Sequence, residues 1–140
     1  GVVLAEIQQT SDITYRIYDW DRLGINGKLR ELHLDLALEA INFEKLDAKV
    51  ECSQKEDVPV KLCACLYFET NLLFLNKKIR RNLSSLDSFI VYMCFEGEAI
   101  IETNGFSEEM KKGETLLIPA SIADIAINTA GATILEIYIT

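Results

Sequence analysis

Long apolar runs, positive charge, histidine and paired-cysteine motifs are all scarce in this chain, and each scarcity removes a class of function. No apolar stretch reaches the roughly 20 residues that a spanning helix requires, so no membrane partner is expected. No basic leader precedes an apolar block and cleavage site, so no secretory signal is expected. Lys and Arg total 14 against 22 Asp and Glu, a formal net charge of −8. A field of that sign repels phosphate backbones, and no nucleic-acid partner is expected. The one basic cluster, Lys77-Lys78-Ile79-Arg80-Arg81, lacks interleaved stacking aromatics and reads as a solvated loop, with a phosphate contact as the alternative. The four cysteines, Cys52, Cys63, Cys65 and Cys94, include no Cys-x-x-Cys spacing. Cys63 and Cys65 would share one strand face, a poor start for a zinc knuckle. Free thiols in a reducing compartment are the expectation, which places the protein in the cytoplasm. The sole histidine, His33, stands at the entrance of a helical pattern and reads as a capping or packing residue rather than a metal ligand.

What remains is an apolar, β-rich chain. Its 140 residues, 49% of them apolar, suit one ordinary domain with a sizeable core. The stretch 6–22, EIQQTSDITYRIYDWDR, sets charged residues among β-formers. Residues 13–18 favour a strand, with Ile13, Tyr15 and Ile17 on one face and Thr14, Arg16 and Tyr18 on the other. A mid-strand Arg16 beside hydroxyls can grip an anion; the plainer reading pairs it with a neighbouring Asp on a solvated face. Asp19 and Asp21 read as solvated, while Trp20 reads as core or as a platform for a sugar ring.

Residues 2–7 suggest a short strand and 8–12 a turn. Asn26-Gly27 suits a tight hairpin. Gly24-x-x-Gly27-Lys28 lacks the spacing and the hydroxyl residue of a phosphate loop. Residues 34–43 carry apolar side chains at helical intervals and predict the one helix. Residues 42–59 are charge-rich and read as a linker. Beyond them, strands are predicted at 60–68, 72–75, 88–95, 98–103, 106–111, 115–118, 123–128 and 132–139. Their spacing indicates an antiparallel sandwich or small barrel.

Phe95-Glu96-Gly97-Glu98-Ala99 and Lys112-Gly113-Glu114-Thr115-Leu116-Leu117-Ile118-Pro119-Ala120 resemble the centre and second motif of a cupin jelly roll. Gly113, Pro119 and Asn128 match that motif, whereas Ser121 and Asp124 replace its second Gly and its His, and Ile90 stands where the first motif has Glu. A cupin metal site needs imidazoles and a carboxylate converging inside the barrel, so a metal-free barrel with an apolar strand in that place is expected. The resulting fold class is mainly β, a cupin-type double-stranded jelly roll with one short helix and extra N-terminal strands. Residues 1–44 would form a strand-hairpin-helix segment resembling the end of an upstream catalytic half, and 58–140 the C-terminal cupin.

Residues 6–20 with Arg30-Glu31-Leu32-His33 and the ending Leu135-Glu136-Ile137-Tyr138-Ile139 narrow the match. They look like the C-terminal part of bacterial short-type class I mannose-6-phosphate isomerases. The resemblance implies a family that interconverts mannose 6-phosphate and fructose 6-phosphate at a zinc held by residues upstream of this stretch. It also implies that Arg16 matches the active-site Arg that steadies an enediolate, and that Glu6 matches an acidic residue near the substrate. No zinc bound by this chain alone is expected, and little activity without the upstream part. The alternative is a non-catalytic cupin module that binds a sugar phosphate or serves assembly. Unpaired strand edges invite a homodimer.

Overall fold

A computed structural model describes residues 4–10, 12–45, 47, 52–53 and 55–140. The chain divides into two compact units, Gly1–Ala48 and Lys49–Thr140. The second unit holds seven strands: β1 (Pro59–Ala64), β2 (Glu69–Leu75), β3 (Ile79–Asn82), β4 (Ile90–Thr103), β5 (Phe106–Lys111), β6 (Thr115–Ile118) and β7 (Asp124–Tyr138). They form one antiparallel sheet in the order β1-β2-β7-β4-β5, with β3 added on β7 and β6 on β4. The architecture is the expected mainly β jelly roll.

Two long strands hold it together. The first half of β4 pairs with β6 and its second half with β5. The far half of β7 pairs with β2 and its near half with β3, and β4 pairs with β7 along most of its length. Each long strand changes face midway. On β4 the core residues Ile90, Tyr92 and Cys94 are even-numbered, whereas Ala99 and Ile101 are odd; on β7 Ile125 and Ile127 give way to Ala132 and Ile134. A one-residue slip in a strand moves every following side chain to the opposite face. Register shifts between Cys94 and Glu96 and between Glu98 and Ile100 provide it. Gly97 sits at this bend with φ +73, and a Cβ there would lie 2.0 Å from the Gly131 carbonyl oxygen. Only glycine allows this approach. The bend explains why the sequence pattern divides each long strand into two short ones.

Inside the sheet lie Leu73, Leu75, Tyr92, Met110, Ile127 and Ile134, all essentially inaccessible. Of residues 77–81, Lys77 and Lys78 lie in the expected exposed loop, whereas 79–81 belong to β3. Ile79 joins the core, and alternation along β3 turns Arg81 to the same inner side.

The first unit differs from its expectation more. Residues 13–18 form no strand, and no strand occurs among the described residues of this unit. The extra N-terminal strands are therefore absent there. β-forming residues become a strand only when a neighbouring strand completes the hydrogen-bond ladder, and here, among the described residues, the Arg16 backbone is met by His33 alone. Residues 4–7 form no strand among the described residues either, and residues 2 and 3 lie outside the described set, as do Ser11 in the expected turn and several positions of the 42–59 linker. The Asn26-Gly27 hairpin does form: Leu23 bridges Leu29, the Gly24 amide donates to the Lys28 carbonyl at 2.8 Å, and Gly27 takes φ +71. The helix α1 (Leu34–Ala40) is shorter than the predicted 34–43. His33 occupies its N-cap position without a side-chain cap, because its imidazole is engaged elsewhere.

Candidate functional site

In the first unit the chemistry gathers on Asp19, whose side chain is 12% exposed. Arg22 Nη2 lies 3.1 Å from its Oδ1, and Arg30 Nε and Arg16 Nε lie 3.3 and 3.9 Å from its Oδ2. The chain reaches this arrangement through a turn at 19–22, in which the Arg22 amide donates to the Asp19 carbonyl at 2.9 Å. Both central residues, Trp20 and Asp21, have positive φ, 47° and 53°. For a residue as bulky as Trp that backbone is strained.

Arg16 is fixed at four points. Its amide donates to His33 Nδ1 at 3.1 Å, its carbonyl accepts from the His33 amide at 2.8 Å, and its Nη1 donates to the Glu31 carbonyl at 3.0 Å. Asp19 is the fourth. The Arg16–Asp pairing expected from the sequence thus exists, but Asp19 is a shared hub rather than a solvated carboxylate. One carboxylate cannot neutralise three guanidiniums. The surplus charge lines a cavity of about 820 Å³ bounded by Arg16, Arg22, Lys28 and Arg30, with Glu31 as its acidic member. Guanidiniums crowded in this way favour an anion with several acceptor oxygens. Glu6 is exposed and has no hydrogen-bond or ion-pair partner among the described residues, so the structure does not join it to Arg16. Trp20 is 79% exposed, which overturns the core reading. Its ring meets Tyr18 edge-to-face at 5.1 Å.

The second unit holds a different polar cluster: Ile90 on β4 is buried in the core, as the expected apolar strand requires, but β7 brings a carboxylate inside the barrel that the sequence reading did not foresee. Glu136 on β7 is fully buried among its cross-strand neighbours Asn71 and Tyr92. Its Oε1 accepts from Arg81 Nη2 at 2.7 Å and Asn71 Nδ2 at 3.4 Å; its Oε2 accepts from Tyr92 Oη at 2.7 Å and Arg81 Nε at 3.1 Å. Burial works against the Arg81 charge, but Glu136 outweighs it and the guanidinium is held above its ordinary range. Burial, reinforced by Glu136, pushes the Tyr92 hydroxyl far up, so it stays a donor. Asn71 also donates to Tyr138, Tyr138 donates to Glu69, and Lys61 pairs with Glu69 at the edge.

This donor set does not fit a divalent cation. All four acceptor positions on Glu136 are taken, and a guanidinium lies against both oxygens. Among the described residues no three His, Cys, Asp or Glu side chains converge as ligands. One signal for this cluster was visible in the sequence: Glu136 and Tyr138 share the alternation face of Ile134 in an otherwise apolar strand.

Comparison with known proteins agrees with both the fold and the motifs. The strand order and the paired long strands define a cupin barrel, and a cupin-2 domain protein of Shewanella frigidimarina shares the fold, with a TM-score of 0.51 at 13% identity over 76% of this chain and 91% of that one. Residues 59–138 match the family described as mannose-6-phosphate isomerase, cupin domain, and the chain belongs to that family. Mannose-6-phosphate isomerase ManA of Bacillus subtilis is 32% identical over 130 residues, 91% of this chain and 41% of that protein. A crystal structure of the mannose 6-phosphate isomerase from Bacillus subtilis superimposes with a TM-score of 0.66 at 27% identity, covering 91% of this chain and 40% of that one. The chain therefore spans about two-fifths of the length of the relatives it matches, their C-terminal part.

Proposed function

We propose that this chain serves as the C-terminal region of a mannose-6-phosphate isomerase and that its first unit supplies the anion-holding side of the sugar-phosphate site. The observation that carries this reading is the surplus of guanidiniums around Asp19 beside an open cavity. Moving a proton between C1 and C2 of an aldose and a ketose builds negative charge on the enediolate oxygens. A fixed cation beside those oxygens lowers that barrier by electrostatic stabilisation. Arg16, anchored by His33, Glu31 and Asp19, is the residue assigned that task.

Glu6 is assigned a share of the proton transfer on resemblance alone. The zinc that polarises the carbonyl in such an enzyme would be held by residues upstream of the region matched here. Nothing in the Asp19 cluster suits a cation, since three guanidiniums already crowd it. Isomerisation by this chain alone is accordingly expected to be negligible.

Titration calorimetry of the chain with mannose 6-phosphate and with mannose tests the reading. The phosphate ester is expected to bind at least about tenfold more tightly, with an affinity that falls as salt rises, and Arg16→Gln is expected to abolish the difference. Equal binding of both sugars, or a phosphate preference untouched by Arg16→Gln, contradicts it.

A further inference from the structure

His33 is the only histidine of the chain, and its ring is committed to one partner. It stands at the N-cap position of α1 but makes no side-chain cap. Its Nδ1 accepts from the Arg16 amide at 3.1 Å instead, while its own amide donates to the Arg16 carbonyl at 2.8 Å. Two residues earlier, the Glu31 carbonyl accepts from Arg16 Nη1 at 3.0 Å. Residues 31–33 thus hold both the backbone and the guanidinium of Arg16. Of the three arginines around Asp19, Arg16 is the most enclosed, its side chain 17% exposed against 31% for Arg30 and 65% for Arg22. Its placement depends on these partners more than on solvent.

The contact fixes the state of the ring. A ring nitrogen that accepts a hydrogen bond carries no proton. The imidazole is then neutral, with its proton on Nε2, which faces the Glu31 carboxylate at 4.0 Å. Taking up a second proton turns Nδ1 into a donor, set 3.1 Å from the donor it held. The two must part, and a part-buried amide loses its acceptor. Among the described residues, the charged groups about the ring are Glu31, the Arg16 guanidinium and Asp35 in the first turn of α1. Glu31 and Asp35 favour the imidazolium, but both are exposed and water screens their pull. His33 does not line the arginine cavity, so its added charge acts on a bound anion less directly than the loss of Arg16's anchor does.

We propose that His33 is the positioning residue of Arg16 and works only with Nδ1 unprotonated, so that acid slackens the anion-holding site. The proposal rests on the functional reading above, whose site it regulates. Imidazole is the side chain whose ordinary charge change falls between about pH 5 and pH 8. With one histidine in the chain, a change in Arg16 within that window reports on His33.

The test uses the full chain, with mannose 6-phosphate as the ligand, at about pH 7.5 and about pH 5.5. Affinity is measured for the wild type, His33→Asn and His33→Ala. The phosphate takes up its own second proton at about pH 6, a loss common to all three. Over this interval the wild type should lose at least about fivefold more affinity than His33→Asn, whose amide oxygen accepts a hydrogen bond but does not titrate. His33→Ala should bind weakly at both pH values. Nuclear magnetic resonance reads the contact directly: the Arg16 amide signal should move with the same midpoint as the His33 ring in the wild type and stay fixed in His33→Asn. Should neither variant fold, the wild-type titration alone decides. An Arg16 amide indifferent to protonation of the ring overturns the proposal. So does a binding profile that is the same in wild type and His33→Asn, or one in which the wild type gains on the variant in acid. Arg16 signals that follow the ring in a chain that binds no sugar phosphate support the positioning and count against the functional reading. Binding that Arg16→Gln abolishes, with no His33-dependent pH profile, does the reverse.

Discussion

The two units of this chain solve the same problem, how to hold a charged group in place, in opposite ways. In the barrel, Glu136 is buried on a strand whose register is set by two neighbours, and every oxygen is matched by a donor before any ligand arrives. In the first unit, Asp19 sits in a turn and has more cations than it can satisfy, and those arginines line a cavity. A saturated cluster specifies a fold, whereas one with surplus positive charge is suited to binding an anion. The contrast also separates what each unit needs. The barrel encloses its own core, while the first unit presents its apolar residues outward.

The contrast can be broken most severely at Arg81. Replacing it with Met leaves Glu136 buried without its counter-ion, and loss of one partner of such a pair costs about 3–5 kcal/mol. A urea melt followed by circular dichroism should show the barrel destabilised by that amount, with a loss far smaller when both partners are exchanged for apolar residues. Next in size is Gly97→Ala. Its positive φ and the collision with Gly131 predict a loss of about 1–3 kcal/mol in the same melt, and the equivalent change at Gly27, also at positive φ but with open space around it, should leave the barrel unchanged.

Acid sharpens the comparison more gently. Lys61, then Tyr138, holds the Glu69 carboxyl below its ordinary value of 4.5. A lowered folded-state value stabilises the protein fully above 4.5 and is lost as pH falls through the folded value. Stability of the wild type should therefore drop in that acid window, and Glu69→Gln should flatten the drop. The smallest effect belongs to the first unit: Trp20→Ala should change the barrel's unfolding free energy, read from the urea melt, by no more than about 0.5 kcal/mol, because the ring is exposed.

Much of the barrel was legible in the residues because alternation and turn chemistry act locally. Strands 106–111 and 115–118 have the bounds that the pattern predicts. The long strands were read as pieces because the bulge beside Gly97 reverses which residues face inward. Arg81 was misread because a basic run gives no sign that one member turns in to a carboxylate 55 residues away. In the first unit, the aromatic and β-branched run 13–18 carries strand propensity, yet no strand occurs among the described residues of that unit. The Asp19 hub was invisible because it depends on a strained turn at Trp20-Asp21 that no composition announces. Arg16 was legible through its motif, and the structure gives it the anchors that its proposed role requires. Glu6 has no such support.

Native-state hydrogen exchange on the full chain tests the division between the two units most directly. Amides of Leu73, Tyr92 and Ile134, in the enclosed core, should exchange only through global unfolding, while those of 13–41 exchange through far cheaper local openings. Equal protection of the two units, lost together in one cooperative step, would contradict it.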